Sequence, residues 1–477
     1  MVFSSPIFLF CFLPITLLLA WLSHNYGWRN KALLVFSALF YAFGEGELLL
    51  LMFGTITLNF FIGKWIGRSK TKTAVVVGVV INLLVLAIYK YATFVIVNIN
   101  SVLDLLGAGS IPVVEIKLPV GISFYIFQTM SYLIDVYRKQ NESQKSYVDL
   151  ALYVCLFPQL IAGPIVRYKD IADQLKHRTL GVHKFAEGLQ RFIIGLGKKV
   201  IIANTLGSVA DQMLELNTSE FTMGASWLAM ICYSLQLYFD FSAYSDMAIG
   251  LGKMFGFDFL ENFRFPYKAK SIREFWQRWH ISLSNWFRDY LYIPLGGNRV
   301  SPGRVYVNLF IVFFLTGLWH GASWNFVIWG MMHGCFMVVE RLGFEKLLRR
   351  TPAPLQHIYT LMVVIVAWVF FRVESFTDAG TIISNMFVPN ENGLLTATMF
   401  INSEVIFALT AGLIMSFDGF NYLLRKVVRW FYLSSGNRIM FKTVFRNLRS
   451  IFLIIIFVYS ALITASGSYN PFIYFRF

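Results

Sequence analysis

Apolar residues run in long blocks along this chain, separated by short polar connections. A hydrocarbon layer about 30 Å thick takes about 20 apolar residues as a helix. Blocks approaching that length cover residues 6–22, 32–43, 48–66, 74–95, 120–136, 150–166, 192–210, 225–241, 305–319, 324–339, 359–371, 405–417 and 451–465. Several are too short to cross alone. Such segments re-enter or stop halfway, and surrounding protein must then satisfy their backbone. The pattern predicts an all-α integral membrane protein with roughly 9 to 11 crossings plus re-entrant and interfacial helices. No repeat period is found, so residues 1–477 read as a single polytopic domain.

The charged residues between the blocks predict which ends share a side. Basic connections occupy residues 29–31, 64–72, 138–145, 167–184, 253–304, 341–350 and 425–449, the last with seven bases and no acid. The complementary connections are acidic or nearly free of bases: Glu45 and Glu47, then residues 92–115, 213–220 and 373–404. Placing the basic set in the cytoplasm gives a nearly regular alternation with both termini outside. Block 150–166 breaks it, with bases on both flanks. It should enter and return on one side, and Pro158, Gly163 and Pro164 supply the backbone breaks for such a turn.

Composition agrees with a membrane protein: 57% of residues are hydrophobic and only 14% charged, against about 25% charged in a soluble domain. That excludes soluble globular, disordered and collagenous classes. The net charge of +15 would suggest nucleic acid in a soluble chain. Here loops on the cytoplasmic side, facing anionic lipid, account for it. Cys11, Cys155, Cys232 and Cys335 each lie in apolar runs without a CxxC, which fits small buried hydrophobes better than zinc or redox chemistry. The N-terminus has no basic n-region and no A-x-A site, so the first block reads as a retained membrane helix.

Two stretches carry candidate chemistry. In residues 273–290, read as one helix, Trp276, Trp279, His280, Leu283, Trp286, Phe287 and Tyr290 fall on one arc, and Glu274, Gln277, Arg278, Asn285, Arg288 and Asp289 on the other. This predicts a helix along the cytoplasmic interface, with His280 on its apolar arc as either structural packing or part of a reaction channel. The second stretch is Leu315-Thr-Gly-Leu-Trp-His-Gly-Ala-Ser-Trp324. Here His320 should end one apolar helix, with Ser323 placed to cap the next. An ionisable ring between apolar helices is a functional candidate by default. Neutral imidazole can take a proton from a hydroxyl as its oxygen attacks a carbonyl. His333 lies 13 residues on, which is not a same-face metal spacing, and no carboxylate or thiol sits at ligand spacing, so no metal is expected. His24, His177, His183 and His357 lie at segment ends or in polar loops and are assigned no role. GxSxG, Walker and GxGxxG contexts are absent from the sequence.

These residues carry a resemblance. The chain is similar to the membrane-bound O-acyltransferase family, in the branch of the alginate O-acetylases, related to the D-alanyl transferase of teichoic acid modification. The matching stretches are Met1-Val-Phe-Ser-Ser5, Pro119-Val-Gly-Ile-Ser-Phe-Tyr-Ile-Phe-Gln-Thr129, Phe157-Pro-Gln-Leu-Ile-Ala-Gly-Pro-Ile165, Tyr238-Phe-Asp-Phe-Ser-Ala-Tyr-Ser-Asp246, residues 276–284, Tyr292-Ile-Pro-Leu-Gly-Gly-Asn298 and Gly317-Leu-Trp-His-Gly321. The resemblance implies a multi-pass helical disc with a central funnel, in which His320 is catalytic and His280 is the second funnel histidine. It implies a cytoplasmic thioester donor, acetyl-CoA for this branch, with no permanently bound cofactor. The acetyl group would be handed outward, through a periplasmic or extracellular acyl-handling partner, for O-acetylation of an exported polysaccharide such as alginate. The location implied is the bacterial inner membrane. With the charge-derived topology, a path joining His280 to His320 would cross the membrane.

The tail, residues 466–477, lies outside in that topology and carries Tyr469 and Tyr474. It resembles the aromatic tyrosine tail of the small partner subunit in the D-alanyl branch, which implies Tyr474 as an acyl relay; an interfacial anchor is the alternative. The polar patch Asp240, Ser242, Tyr244 and Asp246 reads as funnel or donor contacts, or as helix-end capping and internal hydrogen bonding. Trp279 and Trp319 flank the two histidines and are candidates to line the funnel. Asn298 and Arg299, after Gly296 and Gly297, could meet a donor phosphate or form an ordinary turn. The competing functional class is a transporter or flippase with a histidine proton relay, for which inverted repeats would be expected and none is found.

Overall fold

A computed structural model describes residues 1–23, 25–161, 163–434, 438–467 and 469; His24, Tyr474 and most of the 466–477 tail lie outside the described residues. Helices dominate the described chain, and one isolated bridge joins Phe221 to Leu395. Six helices are long and apolar enough to cross a membrane: Leu48–Ser69, Lys72–Leu105, Val182–Leu214, Pro302–His320, Ala353–Arg372 and Thr443–Ala465. Phe8–Leu22 and Ser403–Ser416 are shorter apolar helices. The protein is therefore a multi-pass membrane protein. The tally of six long apolar helices falls below the expected crossings because protein-covered helices do not need apolar sides.

The central helix, Met223–Met254, shows why. Its 32 residues span about 48 Å at 1.5 Å per residue, yet it buries Gln236, Asp240, Ser242 and Ser245. Lipid would penalise those groups, whereas here they are enclosed by protein and the Asp240 carboxylate is paired. Lys199 pairs with Asp240 at 2.6 Å, and Arg191 and Lys198 reach Asp246 at 2.8 and 2.7 Å, all from the adjoining 182–203 segment. The two helices approach closely where a Cβ on Gly188 would lie 2.5 Å from the Gly250 carbonyl oxygen, and one on Gly250 would lie 2.6 Å from that of Gly188. Small residues at such a crossing bring backbones into van der Waals contact.

The 150–166 segment turns back as its flanking charges predict. Helix Tyr147–Cys155 gives way to the short turn Phe157–Leu160, and the returning chain is held where the Tyr153 hydroxyl donates to the Val166 carbonyl at 2.9 Å. Its side chains are almost all buried, so protein surrounds the irregular backbone.

The 273–290 stretch departs from the expected single interfacial helix. It is two short helices, Ile272–Arg278 and Ile281–Phe287, broken at Trp279 and at His280, whose φ of 42° is left-handed. Trp276, Trp279 and Trp286 are all buried in protein. Trp286 donates to the Phe127 carbonyl at 3.0 Å and stacks on the Phe127 ring at 3.8 Å. The aromatic arc was legible, but its partner is the protein core, not the bilayer surface.

Base-rich connections gather together. Asn30 donates to the Leu175 carbonyl and Asp149, Arg138 donates to the Asp289 carbonyl, and Arg167 pairs with Asp289 at 2.7 Å. Base-poor connections gather separately: Asn385 donates to the Thr218 carbonyl, Asn390 to the Ser219 and Phe221 carbonyls, and Asn325 to the Val373 and Glu374 carbonyls. This partition is the one the charge pattern predicts.

Candidate active site

Helix Pro302–His320 ends at His320, where Gly321 takes an extended backbone; Trp324–Val339 follows, with Ser323 at its N-cap position. Ser323 makes no side-chain capping bond, contrary to the sequence expectation. The two helices cross where a Cβ on Gly317 or Gly330 would overlap the carbonyl oxygen of Phe326 or Phe313. That contact fixes His320 against Trp329.

The His320 ring is buried and meets three aromatic rings edge-on: Trp319 and Trp329 at 4.9 Å and Phe371 at 5.1 Å between centroids. The His280 ring is fully buried, 4.7 Å from Phe241 and 5.8 Å from the same Trp319. Both imidazoles thus contact one indole. The two rings are therefore close together, not a membrane's thickness apart, because the broken 272–287 pair is buried in the protein and carries His280 to the end of the His320 helix. His333 lies beyond Trp329 at 5.2 Å and beside Trp276 at 5.2 Å. The three histidines share one aromatic cage, in which Trp319 contacts His280 and His320 and Trp329 contacts His320 and His333. Among the described residues, no group of three or more His, Cys, Asp or Glu is placed to hold a metal ion.

Asn262 determines how His280 presents itself. The Ser282 backbone N–H, an obligatory donor, points at the Asn262 side chain at 3.1 Å, so the atom there is the oxygen. That oxygen also accepts from the Ser282 hydroxyl at 2.9 Å and faces His280 Nδ1 at 3.3 Å. Nδ1 therefore carries the proton, and Nε2 presents a lone pair. His280 Nε2, His320 Nε2, both His333 ring nitrogens and the indole nitrogens of Trp276, Trp319 and Trp329 are buried without a hydrogen-bond partner among the described residues. Such groups are costly unless something polar meets them.

The other expected site residues divide. Trp319 stands in the cage. Trp279 supports its wall, 5.1 Å from both Phe263 and Trp368. Asp240 and Asp246 do not reach the histidines, since the basic 182–203 segment holds both carboxylates. Tyr244 stacks on Phe3 at 4.4 Å, and Ser242 is buried in the same helix. The side chain that this helix sends to His280 is Phe241. Asn298 and Arg299 are exposed in a turn: Tyr292 donates to the Asn298 side chain at 2.7 Å, and Gly296 and Gly297 supply the positive φ angles. Tyr474 is outside the described residues. Tyr469, earlier in the same tail, donates to Asp211, which also pairs with Arg372 at 2.9 Å. Arg372 directly follows the Phe371 that touches His320.

Sequence reasoning missed Asn262, Ser282 and Lys90. Lys90 had a signal, a lone base inside the apolar block 74–95. Asn262 and Ser282 had none, because their role arises from a contact across 20 residues of chain.

Comparison with known proteins identifies the family. The sequence profile of the MBOAT, membrane-bound O-acyltransferase family, matches residues 7–377. The chain is 47% identical to the probable alginate O-acetylase AlgI of Pseudomonas aeruginosa, over 81% of this chain and 75% of that protein. It is 42% identical to that of Pseudomonas putida over the full length of both. It is 37% identical to the peptidoglycan O-acetyltransferase of Helicobacter pylori, over 81% of this chain and 80% of that protein. With the family's profile covering both cage-forming helices and most of the chain, the protein belongs to the membrane-bound O-acyltransferase family and is an O-acyltransferase.

Proposed function

We propose that the protein transfers an acetyl group from a cytoplasmic thioester, acetyl-CoA, to an acceptor hydroxyl on the far side of the bacterial inner membrane, for O-acetylation of an exported polysaccharide such as alginate. One observation carries the proposal: two buried imidazoles, each with an unpartnered Nε2, contact the same indole. In this reading His320 Nε2 removes the hydroxyl proton as the oxygen attacks the thioester carbonyl. A C–O bond forms and the C–S bond breaks. The departing thiolate takes the proton from the imidazolium, which restores neutral His320. His280 Nε2, held as an acceptor by Asn262, orients or activates a donor group on the thioester side. The aromatic cage limits water, which would otherwise hydrolyse the thioester.

Similarity to alginate and peptidoglycan O-acetyltransferases supports acetyl as the group and a glycan as its destination. An extracytoplasmic acyl-handling protein would then be the partner. Tyr474 is the proposed relay to it. The anchoring of Tyr469 at Asp211 and Arg372, next to the Phe371 ring, supports a tail close to His320.

The test uses purified protein in lipid nanodiscs with labelled acetyl-CoA. The His320→Ala variant should lose turnover by about 10²- to 10⁴-fold, the usual contribution of a general base, with an unchanged melting profile. Turnover close to wild type in a folded variant overturns the assignment.

A further inference from the structure

The helix that carries His320 ends inside the protein, where its last carbonyls need partners. Gly317 O accepts from Gly321 N–H at 3.3 Å, which leaves three. Leu318 O accepts from the Tyr91 hydroxyl at 2.7 Å. Trp319 O and His320 O both accept from the Lys90 ammonium, the latter at 3.3 Å. The third ammonium proton goes to Ser123 Oγ at 3.2 Å. Two consecutive side chains therefore satisfy three consecutive carbonyls. Each ammonium proton of Lys90 meets a neutral oxygen, and its charge sits at the negative end of the helix dipole. The ammonium also lies 5.8 Å from the centroid of the Trp319 ring, which contacts both histidines.

Lys90 and Tyr91 belong to a π-helical turn, Ala87–Tyr91, in the middle of the long Lys72–Leu105 helix. Such turns mark functional sites more often than chance, because the extra residue per turn re-aims side chains. Here it directs two neighbours at one helix end.

We propose that Lys90 and Tyr91 form a clamp that fixes the backbone of Trp319 and His320, and so holds the His320 imidazole and the Trp319 indole in register with the thioester carbonyl. Both are positioning residues: they act through the carbonyls of the helix end, not on substrate. The proposal rests on His320 as the proton acceptor, and the experiment separates the two readings. Lys90→Met keeps the length and apolar stem and removes the donors; Tyr91→Phe removes a single hydroxyl.

Thioester turnover is measured in nanodiscs with labelled acetyl-CoA, beside His320→Ala and with melting profiles for each variant. Lys90→Met is expected to lower kcat by about 100-fold, the penalty of an ångström-scale misplacement of a reacting group, with the KM for acetyl-CoA changed less than about threefold. Tyr91→Phe is expected to lower kcat by about tenfold, again without a matching change in KM. A general loss of packing would move KM and melting together with kcat, and that pattern overturns the clamp. If Lys90→Met does not fold, Tyr91→Phe decides: an unchanged kcat overturns the proposal, and a lowered kcat at constant KM supports it. If both variants retain full kcat while His320→Ala is inactive, the clamp fails and His320 stands. If His320→Ala retains turnover, the reading of His320 fails instead, and the clamp fails with it.

Discussion

At the scale of single residues, the left-handed backbone of His280 is the most informative feature. A φ of 42° costs a non-glycine residue on the order of 1–3 kcal/mol and persists only when its surroundings enforce it. Asn262 enforces it from both sides of its own peptide: its carbonyl accepts from Ile281 N–H at 2.9 Å, and its side chain accepts from Ser282 and His280. Replacing Asn262 with Leu should strand the Ser282 and His280 donors that its side chain accepts from, at about 1–3 kcal/mol each, and release the His280 tautomer. The expected result is a lower melting midpoint together with reduced acyl transfer, while Asn262→Asp, which keeps an acceptor oxygen, should be milder. Equal melting and activity in Asn262→Leu and wild type would remove Asn262 from the site. His280 and His320 were legible in the sequence because an ionisable ring in an apolar run is a conspicuous expense. Asn262 sits in an ordinary polar connection, and only a contact between distant segments gives it a function.

At the scale of elements, the apolar periodicity of residues 273–290 located the right side chains and the wrong backbone. A helical wheel is blind to one left-handed residue, since the pattern resumes on the next turn and both halves still bury their aromatic rings. The 150–166 turn was legible because proline, glycine and flanking charge are local signals. The break at His280 was not, as its cause is a strap of chain from Asn262 to Arg264, where Arg264 N–H donates to the Arg278 carbonyl at 3.0 Å. The C-terminal tail is an element whose proposed role is chemical. If Tyr474 relays the acyl group, Tyr474→Phe should abolish polysaccharide acetylation in cells while thioester binding persists, because only the hydroxyl can form the intermediate ester. Unchanged glycan acetylation would leave the tail as an interfacial anchor.

At the scale of the whole molecule, the separate gathering of base-rich and base-poor connections makes a prediction about sidedness. An impermeant maleimide applied to intact cells should label Glu391→Cys and spare Arg299→Cys, with permeabilisation exposing the latter. Both positions are exposed, and the natural cysteines Cys11 and Cys335, also exposed in the structure, set the background. The opposite pattern would invert the topology and place the thioester on the wrong side of the cage. The amino-acid sequence by itself determined the membrane class, the long apolar helices and which connections gather with which, because each is written in composition, block length or local charge; it also singled out His280 and His320 as candidates, and the family likeness pointed to the chemistry. Tertiary structure alone decided that His280 and His320 share one indole, that Asp240 and Asp246 serve ion pairs instead of the site, and that Lys90 and Tyr91 grip the end of the His320 helix. Those outcomes depend on which distant backbones approach closely enough to exchange hydrogen bonds, and residue spacing along a chain carries no record of that distance.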